Sequence, residues 1–288
     1  MDIPAPRSRP PRVAAVHDLS GIGRCALCAI IPAMSALGVQ VCPIPTALLS
    51  TQTDGFEHFT FRDLTDEVLP IYAHWRSLDL LPDCIYSGFL GSIRQIDILD
   101  RIFAESGEGT FKVVDPVMGD DGALYSTHSP EMGYKMRRLC SGADLITPNL
   151  TECIYLIDRP YRERPFTREE IKGYLKDLCA LGAGTAVLTG VSFEPGRLAN
   201  CAFDSRSNRF YEAGCTLLPQ RYPGTGDLFT SVLTGLLLRG FSLEQGLRSA
   251  TDYLSATIAA TCALATPARE GVVLEQTLGL LTALVAPV

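Results

Sequence analysis

Apolar residues in this chain come in short runs, and most runs are followed by a stretch with helical spacing. Residues 13–16 (Val13, Ala14, Ala15, Val16) form such a run, and an apolar-rich helical stretch follows over residues 26–37. The same alternation recurs with strands at 39–44, 84–86, 111–114, 145–147 and 186–190, and helices at 63–80, 93–103 and 167–181. Pro70 bends or breaks the 63–80 helix. Residues 198–203 and 209–211, joined by 204–208, have the form of an antiparallel hairpin, and helices over 228–239, 243–264 and 274–285 complete the chain. Interleaving of this kind predicts an α/β fold, a three-layer α/β/α sandwich with a mostly parallel central sheet. It also gathers the polar clusters that follow the strands along one sheet edge, where open α/β sheets bind ligands. One domain over residues 12–288 is expected, preceded by a Pro- and Arg-rich flexible leader at 1–11.

The most informative polar cluster precedes the helix whose apolar positions are Leu228, Phe229, Val232, Leu233, Leu236 and Leu237. Gly224, Thr225 and Gly226 occupy the turn that feeds it, and Asp227 its first turn. Bare N–H groups at a helix start, approached closely through glycine, make a cradle for an anion such as phosphate. A carboxylate there would repel phosphate, which suits Asp227 to accepting a hydroxyl proton. The competing reading is structural: Thr225 caps the helix and Asp227 complements its dipole.

Other strand ends add candidates. Asp18 and Ser20 follow the first strand, beside Gly21 and Gly23. That G-x-G has Ala26 in place of a third glycine and no acidic residue at the usual distance, so nicotinamide binding is discounted. The hydroxyl-rich segment 45–56 predicts a lid or an edge hairpin. Asp115, Asp120 and Asp121 crowd one strand end, as solvated loop acids or as partners of Mg²⁺ held through water. Asn149 and Glu152 have the spacing of a helix cap and its reciprocal acid. Thr189 and Gly190 end the 186–190 strand.

Composition narrows the class. With 47% hydrophobic and 20% charged residues the chain reads as an ordinary soluble protein. A net charge of −7, with no basic stripe, argues against nucleic acid as a partner. The apolar stretch 272–288 is interrupted by Glu275 and Gln276 and is short for a membrane span. Ten dispersed cysteines, with Cys25 and Cys28 as a lone C-x-x-C pair, suit small buried residues in a reducing, cytoplasmic compartment.

Three stretches in this order, Asp115-Pro116-Val117-Met118-Gly119-Asp120, Thr147-Pro148-Asn149-Leu150-Thr151-Glu152 and Gly224-Thr225-Gly226-Asp227, resemble those of the ribokinase-like superfamily. Within it, the chain is similar to the vitamin B6 (pyridoxal or pyridoxamine) kinases over about residues 12–285. The resemblance implies ATP-dependent phosphorylation of the 5'-hydroxymethyl group of pyridoxal, pyridoxamine or pyridoxine. It implies Asp227 as base, with Gly224, Thr225 and Gly226 as anion hole. Asp115, Asn149, Thr189 and Gly190 would stand by ATP, and Asp115, Asp120 and Glu152 by Mg²⁺. Asp18, Ser20, Thr53 and Phe89 would meet the vitamer. A homodimer is implied, and a monovalent cation such as K⁺ is left open. Two departures matter. His17-Asp18-Leu19-Ser20 looks more like the loop of hydroxymethylpyrimidine kinases, and Thr189 replaces a common lysine. A hydroxymethylpyrimidine (phosphate) kinase of thiamine synthesis therefore stays open as an alternative. A non-catalytic nucleotide or vitamer binder is the alternative from another class.

Overall fold

Alternation along the first strand decides the layering. In β1 (Arg12–Ile22), Val13 and Ala15 face one side while Ala14 and Val16 face the other, all fully buried. A strand apolar on both faces must be covered on both. The structure, a computed structural model, describes residues 9–125, 129–162 and 165–286. After β1 come α1 (Ala26–Ala36), β2 (Gln40–Thr51), β3 (Phe61–Asp63), α2 (Thr65–Ser77), β4 (Cys84–Ser87) and α3 (Ile93–Glu105). Next are β5 (Phe111–Val114), β6 (Gly119–Asp120), β7 (Ala123–Leu124), α4 (Pro130–Ser141), β8 (Leu145–Ile146) and α5 (Leu150–Leu156). The chain ends with α6 (Arg168–Ala180), β9 (Thr185–Val191), β10 (Arg197–Asp204), β11 (Arg209–Thr216), α7 (Thr225–Leu238), α8 (Leu243–Leu264) and α9 (Leu278–Val285).

Among the described residues these strands form a nine-stranded sheet in the order β11-β10-β9-β8-β5-β4-β1-β2-β3, and β6 pairs with β7 separately. Neighbours from β9 to β2 in that order are parallel, whereas β3 and the β10–β11 hairpin close the two edges antiparallel. Helices α2 to α6 pack on the face of Ala14 and Val16, and α1, α7, α8 and α9 on the face of Val13 and Ala15. The expected sandwich is present. Every residue of α7 from Leu228 to Leu238 is buried, so this helix is enclosed all round.

Several expected boundaries move. Residues 17–22, expected as a loop, continue β1 as strand, with a register shift between His17 and Leu19. They pair with residues 45–51 of β2, and β3 then returns antiparallel, which makes this region the edge hairpin of the two readings offered. Pairing beyond the sheet's carboxyl edge overrides the polar character of His17, Asp18 and Ser20. The structure adds α4 and the β6–β7 hairpin, which the apolar pattern omits. In α4 the core contacts fall on Met132, Met136, Leu139 and Cys140, among many polar residues. Pro70 lies inside α2 without ending it. The last helix begins at Leu278, after a 3₁₀ turn over Leu274–Gln276. Of the expected leader, residues 1–8 lie outside the described residues. Arg9 is tied down, its guanidinium donating to both oxygens of Asp83 at 2.6 and 3.2 Å.

Because α7 has no solvent face, truncating its core is expected to be severe. Leu236→Ala, at a fully buried site, should lose ~2–5 kcal/mol of unfolding free energy in a denaturant titration. A loss well under 1 kcal/mol would show that α7 does not bear the packing described.

Candidate active site

The site begins where α7 begins. Gly224 has φ +78°, and a Cβ there would stand 2.2 Å from the carbonyl oxygen of Arg24. Only glycine lets the turn press so closely on the chain leading into α1. The first intrahelical bond runs from Leu228 N–H to Gly224 O at 3.0 Å, so the N–H groups of Thr225, Gly226 and Asp227 lie ahead of the helical ladder. Thr225 is not the cap: Gly224 holds that position, and the Thr225 hydroxyl donates to Tyr222 O at 3.1 Å. The purely structural reading of this turn thereby loses half its content.

Asp227 sits between two helix starts. Its Oδ2 accepts the N–H of Ala26 at 2.8 Å, and its Oδ1 lies 3.8 Å from His17 Nδ1. Ala26 makes this bond from φ +45°, a left-handed conformation uncommon outside glycine. The backbone carbonyl of Asp227 accepts from Ser231 Oγ at 2.6 Å and Tyr86 Oη at 3.5 Å. The carboxylate keeps 16% of its surface exposed. Burial pushes its pKa up to about 7, against the Ala26 N–H and with help from the charge of Asp18. A carboxyl poised there suits a general base at neutral pH.

Asp18 and Ser20 join this network. Ser20 Oγ donates to Asp18 Oδ2 at 3.1 Å, and burial raises the Asp18 pKa against that bond. Cys28 Sγ donates to Ser20 O at 2.8 Å. Cys25 and Cys28 are free thiols whose pKa values burial raises, but both are half-buried where small buried residues were expected. The G-x-G has a packing role. A Cβ at Gly21 would stand 2.8 Å from Ser50 O, and one at Gly23 would stand 2.4 Å from Gln52 Cγ.

A second set of acids lines the next strands. Asp115, after β5, is 4% exposed, and Oδ2 lies 3.4 Å from Thr230 Oγ1. Thr230 Oγ1 also donates to Thr147 Oγ1 at 2.9 Å, which links α7 to the end of β8. Burial raises the Asp115 pKa well above the usual carboxylate range, and the charges of Glu152 and Asp227 add to it. The capping box expected at α5 is present: Glu152 N–H donates to Asn149 Oδ1 at 2.9 Å, and Asn149 N–H to Glu152 Oε2 at 2.8 Å. Glu152 Oε1 accepts from Met118 N–H at 3.1 Å, and Asn149 Nδ2 donates to Gly119 O at 2.8 Å, which fastens β6 to α5. Burial pushes Glu152 up to about 8 against these donors.

The remaining candidates are more dispersed. Asp120 is exposed on β6, where it accepts the N–H of Asp121 at 2.9 Å, and Asp121 pairs with Arg221 at 2.7 Å. Thr189 N–H donates to Pro148 O at 3.0 Å, while Gly190, at φ +67°, donates to Asn200 Oδ1 at 3.0 Å. Thr53 is exposed in the turn after β2, and Phe89 is half-buried after β4. That turn is fastened by Gln52, whose amide donates to Arg269 O at 2.8 Å and also to Asp54 O. Burial raises the Tyr125 pKa, and the charges of Glu152, Asp120, Asp115 and Asp54 add to it.

The chemistry of the donor set fits a divalent cation. Asp115 and Glu152 are buried and repel one another, which a positive charge would relieve. Among the described residues no three His, Cys, Asp or Glu side chains are grouped to hold a metal ion directly. Both Glu152 oxygens already serve backbone donors, so a contact through water is the form this site allows. Sequence reasoning missed His17, the Ala26 N–H, Tyr86 and the hydroxyls of Thr230 and Ser231. Adjacent hydroxyls at Thr230 and Ser231 in a mostly apolar helix were the available signal for the last pair.

A carboxyl whose folded pKa exceeds its ordinary value binds more protons in the folded state, so stability is lost as pH rises from near 4 to about 7. Asp227→Asn should therefore melt higher than the wild type at about pH 8, with the gap closing toward about pH 4. A gap independent of pH in thermal melts would contradict the burial described.

The phosphomethylpyrimidine kinase family profile matches residues 27–270. A Bacteroides thetaiotaomicron protein provisionally described as a phosphomethylpyrimidine kinase, solved in an orthorhombic form with pyridoxal, is 44% identical over 97% of each chain, with a TM-score of 0.90. Pyridoxal kinase from Lactobacillus plantarum is 32% identical over 95% of this chain and 97% of its own, with a TM-score of 0.87. Pyridoxal kinase PdxY of Rubrobacter xylanophilus is 25% identical over 244 residues, 81% of each chain.

Proposed function

The chain belongs to the phosphomethylpyrimidine kinase family of ribokinase-like enzymes, and from that membership we propose that it is an ATP-dependent pyridoxal kinase. Its acceptor is the 5'-hydroxymethyl group of pyridoxal, pyridoxamine or pyridoxine. Two relatives support the choice: the 44% identical protein was solved with pyridoxal, and the 32% identical one is a pyridoxal kinase. The observation that carries the chemistry is Asp227, a partly exposed carboxyl pushed up to about 7 beside the bare amides of the α7 start.

In this reading Asp227 takes the hydroxyl proton as the hydroxymethyl oxygen bonds to the γ-phosphorus and the bond to the β-phosphate oxygen breaks, releasing ADP. The N–H groups of Thr225, Gly226 and Asp227 face the charge that develops on the transferring group. Asp18 and Ser20 stand beside the base to orient the ring, with Thr53 and Phe89 on the flanking loops. Asp115, Asn149, Thr189 and Gly190 border the nucleotide. Mg²⁺ held through water near Asp115, Asp120 and Glu152 would neutralise phosphate charge, with a monovalent cation such as K⁺ as a second ion. Residues 12–288 act as one catalytic domain, in a cytoplasmic homodimer. No helix among the described residues is long and apolar enough to cross a membrane.

Asp227→Ala should lower kcat by ~10²–10⁴, and the kcat/KM of the wild type should fall below about pH 7 as the base protonates. Near-wild-type turnover by the variant would overturn the assignment. The family profile and the His17–Ser20 stretch favour one competitor, hydroxymethylpyrimidine. An ADP-release screen of the three vitamers and hydroxymethylpyrimidine with one preparation decides it. A clearly higher kcat/KM for hydroxymethylpyrimidine would transfer the assignment to the thiamine precursor. Ligand-dependent thermal stabilisation without ADP release would make the chain a binder.

A further inference from the structure

His17 is completely buried, and neither ring nitrogen has a hydrogen-bond partner of ordinary geometry, although a backbone group of Tyr86 stands close enough to hold its pKa up against burial. Leaving both nitrogens dry disfavours a filler role, since each buried unsatisfied polar atom costs ~1–3 kcal/mol. A leucine would fill the same space without that penalty. The ring is clamped in place. It meets Tyr86 edge-on with centroids 4.4 Å apart and planes at 69°. On the other side a Cβ at position 88 would stand 2.3 Å from Cε1 and 2.5 Å from Nδ1, so Gly88 is the space the ring occupies. Within this clamp Nδ1 lies 3.8 Å from Oδ1 of Asp227. Burial lowers the His17 pKa to about 3. At neutral pH the ring is uncharged and carries one N–H.

We propose that His17 is a positioning residue for the phosphoryl transfer, its Nδ1–H closing onto Oδ1 of Asp227 as substrate fills the site. This rests on the reading of Asp227 as base. Closure by ~1 Å completes a hydrogen bond of ordinary length. The carboxylate is then gripped on both oxygens, by Ala26 N–H on Oδ2 and by His17 on Oδ1, with lone pairs left for the hydroxyl. The groups facing Asp227 explain why a second donor matters. Asp18 from β1 and Asp115 after β5 are acids, Cys25 and the Ala26 N–H come from α1, and Tyr86 comes from β4. Burial first, and then the charge of Asp18, push the Asp227 pKa upward. An imidazole N–H opposes them without adding a positive charge that would compete for phosphate.

The test uses side chains that place one donor differently. The amide nitrogen of asparagine lies two bonds beyond Cβ, as Nδ1 does, whereas that of glutamine lies three bonds beyond, as Nε2 does. His17→Leu and His17→Gln should lower kcat about tenfold, leave the KM for ATP unchanged, and move the acid limb of kcat/KM upward by about one pH unit. His17→Asn should hold that limb near its wild-type position. Equal losses in the Asn and Leu variants with no movement of the limb would overturn the proposal. A measurement on unmutated protein guards against variants that fail to fold. In ¹⁵N-histidine-labelled full-length protein with a vitamer and a non-hydrolysable ATP analogue, Nδ1 should appear as the protonated, pyrrole-type nitrogen, and a bare Nδ1 would refute the donor role. Asp227→Ala assayed alongside separates the two claims. Retained turnover there removes the base and this inference with it. An inactive Asp227→Ala beside indifferent His17 variants removes this inference alone.

Discussion

One backbone donor, the N–H of Ala26, holds the carboxylate of Asp227, and much of the site's geometry follows from that bond. It ties the start of α1 to the start of α7, two helices that lie on the same face of the sheet. The segment making it is clamped from both sides. Gly224 presses on Arg24 O and Cys25, while Gly271 approaches Arg24 closely and Arg24 N–H donates to Glu270 O at 3.1 Å. Such a vice accounts for a left-handed alanine at position 26. Backbone strain survives only where the surroundings over-determine the conformation. Here they do, and the product is an amide aimed at a carboxylate.

The acids along this edge share one electrostatic condition. Asp18, Asp227, Asp115 and Glu152 all have pKa values raised first by burial, and the hydrogen bonds that oppose it come from amides and hydroxyls. Dipoles satisfy hydrogen bonds without cancelling net charge. The edge is therefore built to receive something positive, or a proton. Asp227 is the member nearest the bare amides of α7, and it is the one for which a proton is the natural arrival.

What was legible in the sequence was punctuated. Glycine and proline mark the ends of β5, β8 and the turn before α7, and the three motifs placed there converge in space. The box of Asn149 and Glu152 was readable because its spacing is a local rule. The continuation of β1 past Val16 was not, since His17, Asp18 and Ser20 look like loop residues and become strand only by pairing with β2. Helix α4 hid in a similar way, its four core residues scattered among charges. His17 escaped notice for a different reason. A histidine at a strand end says nothing of its neighbours, and its place beside Asp227 depends on Gly88 and Tyr86, both more than sixty positions away.

Enclosure of α7 on every side has a mechanical corollary. Asp227 hangs from the most fully buried helix among the described residues, so the backbone that carries its carboxylate has little room to shift. Amide hydrogens past the first turn of α7 then exchange with solvent only when the whole domain unfolds, so a ligand in the cleft slows them by as much as it raises global stability.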